Sequence, residues 1–223
     1  MADNYYEATG VLVLDKVTPV IMAMFSSLHL DVAYPGSGEA YIARVAGDGE
    51  PQWEDVLRGL LDLATYLRLS LPNNAENSVE HCVRSLASHF GAQSEETLTE
   101  LIARIDFTAA LDLQALFDLA KCLDDGHGLK AIKIEGCWYC SKPRLFEFGG
   151  EGIYVSAEVT VRTDSTQAAI FGEALRAAIL DGDLERGAAC LATEVGHLLD
   201  RVSDEAVRSA LRQRLGMTLL SNQ

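Results

Sequence analysis

The apolar positions of the chain recur mainly at the three-to-four-residue spacing of amphipathic helices. Stripes of this kind predict helices over residues 52–69, 79–90, 95–105, 111–123 and 183–201. Helices over 165–180 and 203–216 are predicted from the residues at their beginnings, with Asp164 as the N-cap of the first and the run 203–205 opening the second. Another helix, over residues 20–28, is indicated by Thr18 as an N-cap followed by Pro19 at the first helical position. In the helix that begins at Asp183, the stripe through Leu184, Leu191 and Leu198 predicts the buried face.

Shorter segments have the pattern of strands. The apolar run 10–14, the alternating segment 40–45 and the run 129–136 are of strand length. Strict alternation of apolar and polar residues over 153–162 predicts one further strand, and residues 144–148 another. The glycine-rich segments 34–38 and 149–152 are expected to be turns.

This order of elements predicts an α+β fold with two helix-rich lobes around short, mainly antiparallel sheets. Residues 1–108 form the expected N-terminal acidic lobe, and residues 109–223 the C-terminal lobe with a CxxC hairpin and three C-terminal helices. Both halves contain a helix, a glycine turn, strand material and three helices. Their identity is low, so a diverged internal duplication and two unrelated lobes both stay open.

The charge balance narrows the classes of partner. The 223 residues include 33 acidic and 18 basic side chains, a net charge of −15, while 48% of the residues are hydrophobic. This negative net charge disfavours direct binding to nucleic acid or to an anionic membrane, because both require a basic surface. It is suited to a basic protein partner. The residues up to Ala110 carry −10 and the rest −5.

The compartment is expected to be the cytoplasm. The first residues are polar and acidic, unlike a signal peptide, and no apolar run approaches the roughly 20 residues of a membrane-spanning helix. The five cysteines are an odd number, which favours reduced thiols over a disulfide framework.

The most distinctive motif is Cys137-Trp138-Tyr139-Cys140. Two thiolates at this spacing can bind zinc, and Cys122 and His127 lie near enough in sequence to complete four ligands. The same pair can perform thiol–disulfide exchange if one thiol has a lowered pKa. A hairpin with two incidental cysteines, and no cofactor, is the simplest interpretation.

The segment 130–148 is also the least acidic part of the chain, with a local net charge of +2. Aromatic and basic residues alternate there, a composition enriched at protein interfaces. One interpretation is a partner-binding surface formed by Trp138, Tyr139, Lys142 and Arg144. The other is a set of core aromatic side chains with the lysine stems lying against them and their charges in water.

No arrangement of serine, histidine and aspartate indicates a catalytic site. The favoured hypothesis is a non-catalytic accessory or regulatory protein that binds a protein partner, and homo-oligomers are compatible with it. The alternative is a zinc-binding or thiol-redox protein centred on Cys122, His127, Cys137 and Cys140. A third hypothesis, a small-ligand domain, requires a sizeable pocket where the two halves meet.

Overall fold

The computed structural model describes residues 3–45, 50–69, 78–90, 95–142, 144–145 and 147–221. Its strands are β1 (Asn4–Val13), β2 (Asp31–Gly36), β3 (Glu39–Arg44), β4 (Ala131–Cys140), β5 (Gly149–Ser156) and β6 (Thr160–Asp164). Its helices are α1 (Pro19–Phe25), α2 (Trp53–Tyr66), α3 (Val79–Phe90), α4 (Glu95–Ala103), α5 (Leu113–Cys122), α6 (Ser165–Leu180), α7 (Leu184–Leu199) and α8 (Glu205–Ser221). The predicted α+β class and the antiparallel strand pairing are confirmed.

The six strands form one antiparallel sheet in the order β2-β3-β1-β4-β5-β6. At its centre β1 pairs with β4 over ten residues, from Asn4 opposite Cys140 to Val13 opposite Ala131. Strands from the first half of the chain lie on one side of this pair, and strands from the second half on the other. Both predicted lobes therefore contribute to the same sheet.

Helices α1 to α5 build the core against one face of the sheet. Alternation along the strands places Leu12, Ile42, Ile132 and Val155 on this face, and all four are buried. The helices add a continuous apolar layer that includes Phe25, Trp53, Leu60, Leu86, Leu116 and Phe117. Burial of these side chains is the main stabilising contribution to this part of the fold.

The predictions for residues 144–148 and 149–152 are wrong. None of the described residues between 144 and 148 lies in a strand, and the glycine-rich segment at 149–152 is the beginning of β5 and not a turn. Strand β5 pairs with β4 from Trp138 opposite Gly149 to Ala131 opposite Ser156. Gly149 is required here because a Cβ atom would collide with Trp138, a role that local turn preference does not reveal.

The alternating segment 153–162 forms two strands where one was predicted. A tight turn after Ser156 separates β5 from β6, and the Ser156 hydroxyl oxygen accepts the N–H groups of Glu158 and Val159 at 3.2 and 3.1 Å. Strand β2 was not predicted, because Pro35 and Gly36 resemble a turn. As an edge strand, β2 tolerates proline without losing a ladder hydrogen bond.

The three C-terminal helices form where expected, but they have little buried surface. Of the residues in α6 and α7 only Ala178 and Gly187 are buried, and none is buried in α8. The predicted buried face of α7 is wrong, since Leu184, Leu191 and Leu198 are all exposed. Helix α8 also continues past its predicted end at Gly216 to Ser221. No helix of the described ranges combines the length and apolarity needed to cross a membrane.

Candidate functional site

The helical layer covers only part of the sheet, and where it stops a cavity of about 560 Å³ opens. We call it the sheet cleft. Its floor consists of apolar side chains of the strands, including Ala8, Ile42, Ile134, Ile153 and Val155, and Trp138 lies beside them. Its rim is polar and consists of Tyr6, Arg44, Glu50, Asp112, Gln114, Glu151, Thr160, Arg162 and Asp164. Residues from both halves of the chain therefore meet in the cleft.

A buried polar contact spans the floor of the cleft. Tyr6 on β1 and Glu151 on β5 are separated by β4, yet the Tyr6 hydroxyl donates a hydrogen bond of 2.7 Å to Glu151 Oε1. The Tyr6 and Glu151 side chains can meet across β4 because residue 136 of that strand is glycine. A Cβ atom at Gly136 would lie 2.5 Å from the Tyr6 hydroxyl oxygen.

Arg162 completes the partners of Glu151. Its Nε donates to Glu151 Oε2 at 2.9 Å, and its Nη2 lies 2.8 Å from the same oxygen, so that Tyr6 and Arg162 occupy different oxygens of the carboxylate. The Glu151 side chain is only 7% exposed. Its charge is therefore balanced inside the protein, where an unpaired carboxylate would be costly.

Tyr6 is held as a hydrogen-bond donor. Burial, together with the neighbouring Glu151 carboxylate, raises the pKa of Tyr6 well above its ordinary value of 10.0. On its other side the Arg44 guanidinium lies 4.7 Å from the centre of the Tyr6 ring, a cation–π distance. Arg44 Nη1 also lies 3.5 Å from Glu50 Oε1. Both arginines of the cleft therefore have carboxylate partners within the chain.

Two further carboxylates on the rim are helix caps. Asp112 Oδ1 accepts the N–H of Ala115 in α5, and Asp164 Oδ1 accepts those of Thr166 and Gln167 in α6. The lining of the cleft contains four carboxylates and two arginines, a net charge of −2. The electrostatic potential of the cleft therefore favours a cation over an anion.

The predicted zinc ligands are not brought together. Cys137 and Cys140 lie in the continuous strand β4, so that their side chains project from opposite faces of the sheet, Cys137 exposed and Cys140 buried. Cys122 is buried in α5, and burial raises the pKa of its thiol. Within the described ranges, no group of three or more histidine, cysteine, aspartate or glutamate side chains is placed to hold a metal ion.

His127 has a structural role. It is fully buried, with Nδ1 accepting the Leu129 N–H at 2.8 Å and Nε2 lying 3.0 Å from the Ala120 carbonyl oxygen. This pair of contacts requires the neutral ring with its proton on Nε2. Both ring nitrogens are therefore occupied by the backbone, linking α5 to the beginning of β4.

The predicted partner-binding residues belong to different surfaces. Trp138 faces the sheet cleft, whereas Tyr139 projects from the other face and stacks on Tyr5, with ring centres 5.3 Å apart. Lys142 and Arg144 are exposed after the end of β4, and Arg144 Nη1 lies 3.8 Å from Glu147 Oε1. Alternation along β4 separates the two aromatic rings, so only Trp138 contributes to the cleft.

Sequence reasoning missed Tyr6, Arg44, Glu151 and Arg162. The usable signal was glycine inside strand-forming sequence, which marks a close approach of neighbouring groups. Gly149 is the clearest example, since a Cβ atom there would lie 2.2 Å from Trp138 Cζ2. Gly149 and Gly136 thus provide the space in which Trp138 and Tyr6 lie.

A second surface lies on the C-terminal helices. We call it the C-terminal apolar surface. It consists of exposed apolar side chains of α6, α7 and α8, namely Ile170, Ile179, Leu180, Leu184, Leu191, Leu198, Val207, Leu211, Met217, Leu219 and Leu220. Single exposed apolar side chains are normal on a protein surface, whereas eleven on three successive helices are typical of a surface that binds another molecule. Comparison of the chain with protein families, curated proteins and solved structures finds no match to any of them.

Proposed function

We propose that this chain is a non-catalytic protein-interaction protein whose sheet cleft receives a lysine or arginine side chain of a basic protein partner. The observation that carries the proposal is the composition of the cleft. Beside an apolar floor, two of its four carboxylates, Glu50 and Glu151, are paired with its two arginines, which leaves Asp112 and Asp164 as the net negative charge.

The cleft suits a side chain that has an apolar stem and a cationic head. Lysine and arginine bury their methylene groups against apolar surface and keep the charge near polar groups. The floor and Trp138 offer contacts for the stem, and Asp112 and Asp164 supply negative charge at the rim. The volume of about 560 Å³ lies in the range of ligand pockets, roughly 300–1,000 Å³.

The polar groups of the cleft support binding more than catalysis. The Glu151 carboxylate accepts hydrogen bonds from Tyr6 and from Arg162, so both its oxygens stabilise the sheet. Tyr6 retains its proton because its pKa is raised, and it is therefore a poor general base at neutral pH. The net charge of −15 would also accelerate encounter with a basic partner.

A fluorescence titration tests the proposal directly. Trp53 is only 2% exposed, so a ligand in the cleft is expected to change mainly the emission of Trp138, and Trp138→Phe should abolish the signal. The full chain is titrated with a short lysine- and arginine-containing peptide and with the same peptide carrying norleucine and citrulline instead. We expect saturable binding of the cationic peptide only. Equal binding of the neutral peptide would contradict a cation site.

Matched variants locate the binding site. Asparagine preserves an N-cap but removes its charge, so Asp112→Asn and Asp164→Asn should keep the helices intact. Each is expected to raise the Kd of the cationic peptide about 3-fold, the effect of losing one solvent-accessible ion pair. Asp183→Asn is the control, because Asp183 caps α7 and is not part of the cleft lining. If all three variants bind alike, the peptide binds elsewhere.

A further inference from the structure

The C-terminal helices lack a partner that would explain their stability. Helix α8 has seventeen residues and none is buried, and α6 and α7, with sixteen residues each, bury one residue apiece. Helices of this length are marginal in water unless an apolar face packs against another surface. On α7 the exposed Leu184, Leu191 and Leu198 share one such face, and α6 and α8 carry further exposed large apolar side chains.

The extent of this face matches a protein interface. Eleven large apolar side chains are exposed, from Leu211 at 44% to Leu184 at 80%. At roughly 60–80 Å² of accessible area each, they amount to about 800 Å². This is the area that each partner buries in an interface of standard size, about 800 Å².

The distribution of charge favours a second copy of this chain as the occupant. Residues 1–164 carry a net charge of −13, whereas residues 165–223 carry only −2. Per residue, the C-terminal helices are therefore less acidic than residues 1–164 taken together. Two copies that approach through these helices repel each other less than two copies that meet through average surfaces of the rest of the chain.

The charges of these helices also complement one another. Helix α8 carries +2 through Arg208, Arg212 and Arg214 opposed by Glu205, while residues 181–200 carry −4. Within one chain, Arg208 and Arg212 already lie 3.9 and 3.7 Å from Asp200 at the end of α7. A two-fold arrangement would repeat this attraction between chains, since each acidic α7 could face a basic α8.

We propose that α6, α7 and α8 join two copies of the chain into a two-fold symmetric dimer. The C-terminal apolar surfaces of both copies form the interface, and α8 of each copy packs near α7 of the other. This inference is independent of the cation site in the sheet cleft, because it involves other residues and a different measurement.

Sedimentation equilibrium of the full chain between 1 and 100 µM tests the proposal. We expect twice the mass of one chain at the higher concentrations. Replacing Leu211 and Leu219 together by glutamate should raise the dimer Kd at least about 100-fold, because two charges would be buried. The control adds the same number of charges outside these helices, by glutamate at the exposed Thr65 of α2 and Ser88 of α3, and should change the dimer Kd less than about 5-fold. A dimer that survives Leu211→Glu with Leu219→Glu, or a wild type that is monomeric at 100 µM, would overturn the proposal.

Hydrogen exchange of the unmodified chain gives an independent readout if the leucine variant does not fold. Amide groups of α8 should exchange at least about 10-fold more slowly at 100 µM than at 1 µM, whereas those of α5 should be unaffected by dilution. Rapid exchange of α8 at both concentrations contradicts a dimer. If the chain is monomeric and α8 becomes protected only with phosphatidylcholine vesicles, the surface binds lipid and the proposal is wrong.

Discussion

Helices α5 and α8 were both predicted from the sequence, but their surroundings in the structure differ. Helix α5 buries five of its ten residues against the other core helices and the sheet, whereas the longer α8 buries none. Apolar residues spaced three or four apart predict α5, and the run Ser203 to Glu205 predicts α8. The difference shows that local signals specify a helix, while burial of its apolar side chains depends on what the rest of the fold places opposite them.

The largest expected effect is a difference in stability between two leucine-to-alanine variants, one in each of these helices. Leu119→Ala in α5 removes a fully buried side chain and should lower the free energy of unfolding by about 2–5 kcal/mol. Leu219→Ala in α8 makes the same chemical change where 61% of the side chain is exposed. In dilute protein it should alter stability by less than about 0.5 kcal/mol. Urea unfolding measures both values, and similar losses would mean that α8 is packed within one chain.

Alanine substitutions at two glycines compare the cleft with a more open part of the same sheet. Gly136→Ala would place a methyl group 2.5 Å from the Tyr6 hydroxyl oxygen and should cost about 2–3 kcal/mol, because Tyr6 must move away from Glu151. At Gly152 on the neighbouring β5 an added Cβ atom meets nothing within 4 Å. Gly152→Ala is therefore expected to be within about 0.5 kcal/mol of wild type. Thermal or urea unfolding measures the stability of both variants, and equal losses for Gly136→Ala and Gly152→Ala would contradict the steric role of Gly136.

Tyr6→Phe has the smallest expected effect and a distinctive dependence on pH. Loss of the hydrogen bond to Glu151 should cost about 1–2 kcal/mol at neutral pH. Because the pKa of Tyr6 is higher in the folded than in the unfolded chain, its contribution is complete below about pH 10 and is lost as the pH rises above that value. The difference in unfolding free energy between wild type and Tyr6→Phe should therefore shrink above pH 10. A constant difference from pH 7 to pH 11 would contradict this account of Tyr6.

The helices were the most predictable part of the fold. Stripes and caps locate α2, α5, α6 and α7 to within a few residues, and the predicted Asp164 cap of α6 is confirmed by its bonds to the N–H groups of Thr166 and Gln167. These features are local, because an N-cap and the first turn of a helix lie within four residues of one another. The same locality explains why nothing in α7 signalled that Leu184 is 80% exposed.

The strands and the cleft were less predictable, because their partners are distant in sequence. Tyr6 and Glu151 are 145 residues apart, and they meet only because β1, β4 and β5 are neighbours and residue 136 is glycine. Alternation predicts which residues of one strand share a face, but it does not show which strands are adjacent. The interpretation of 149–152 as a turn is wrong for the same reason, since its pairing with β4 is a tertiary contact.

Composition and short-range patterns were enough to predict the α+β class, most of the helices with their caps, and the acidic net charge, because these properties depend on residue content or on residues close together in the chain. The tertiary structure decided that both halves share a single sheet, that Trp138 and Tyr139 lie on opposite faces of it, and that Tyr6, Glu151 and Arg162 form one buried contact. It also decided that α1 to α5 are covered while α6 to α8 are exposed. An apolar stripe has the same local appearance in both cases, and only the surface opposite it determines whether water is excluded.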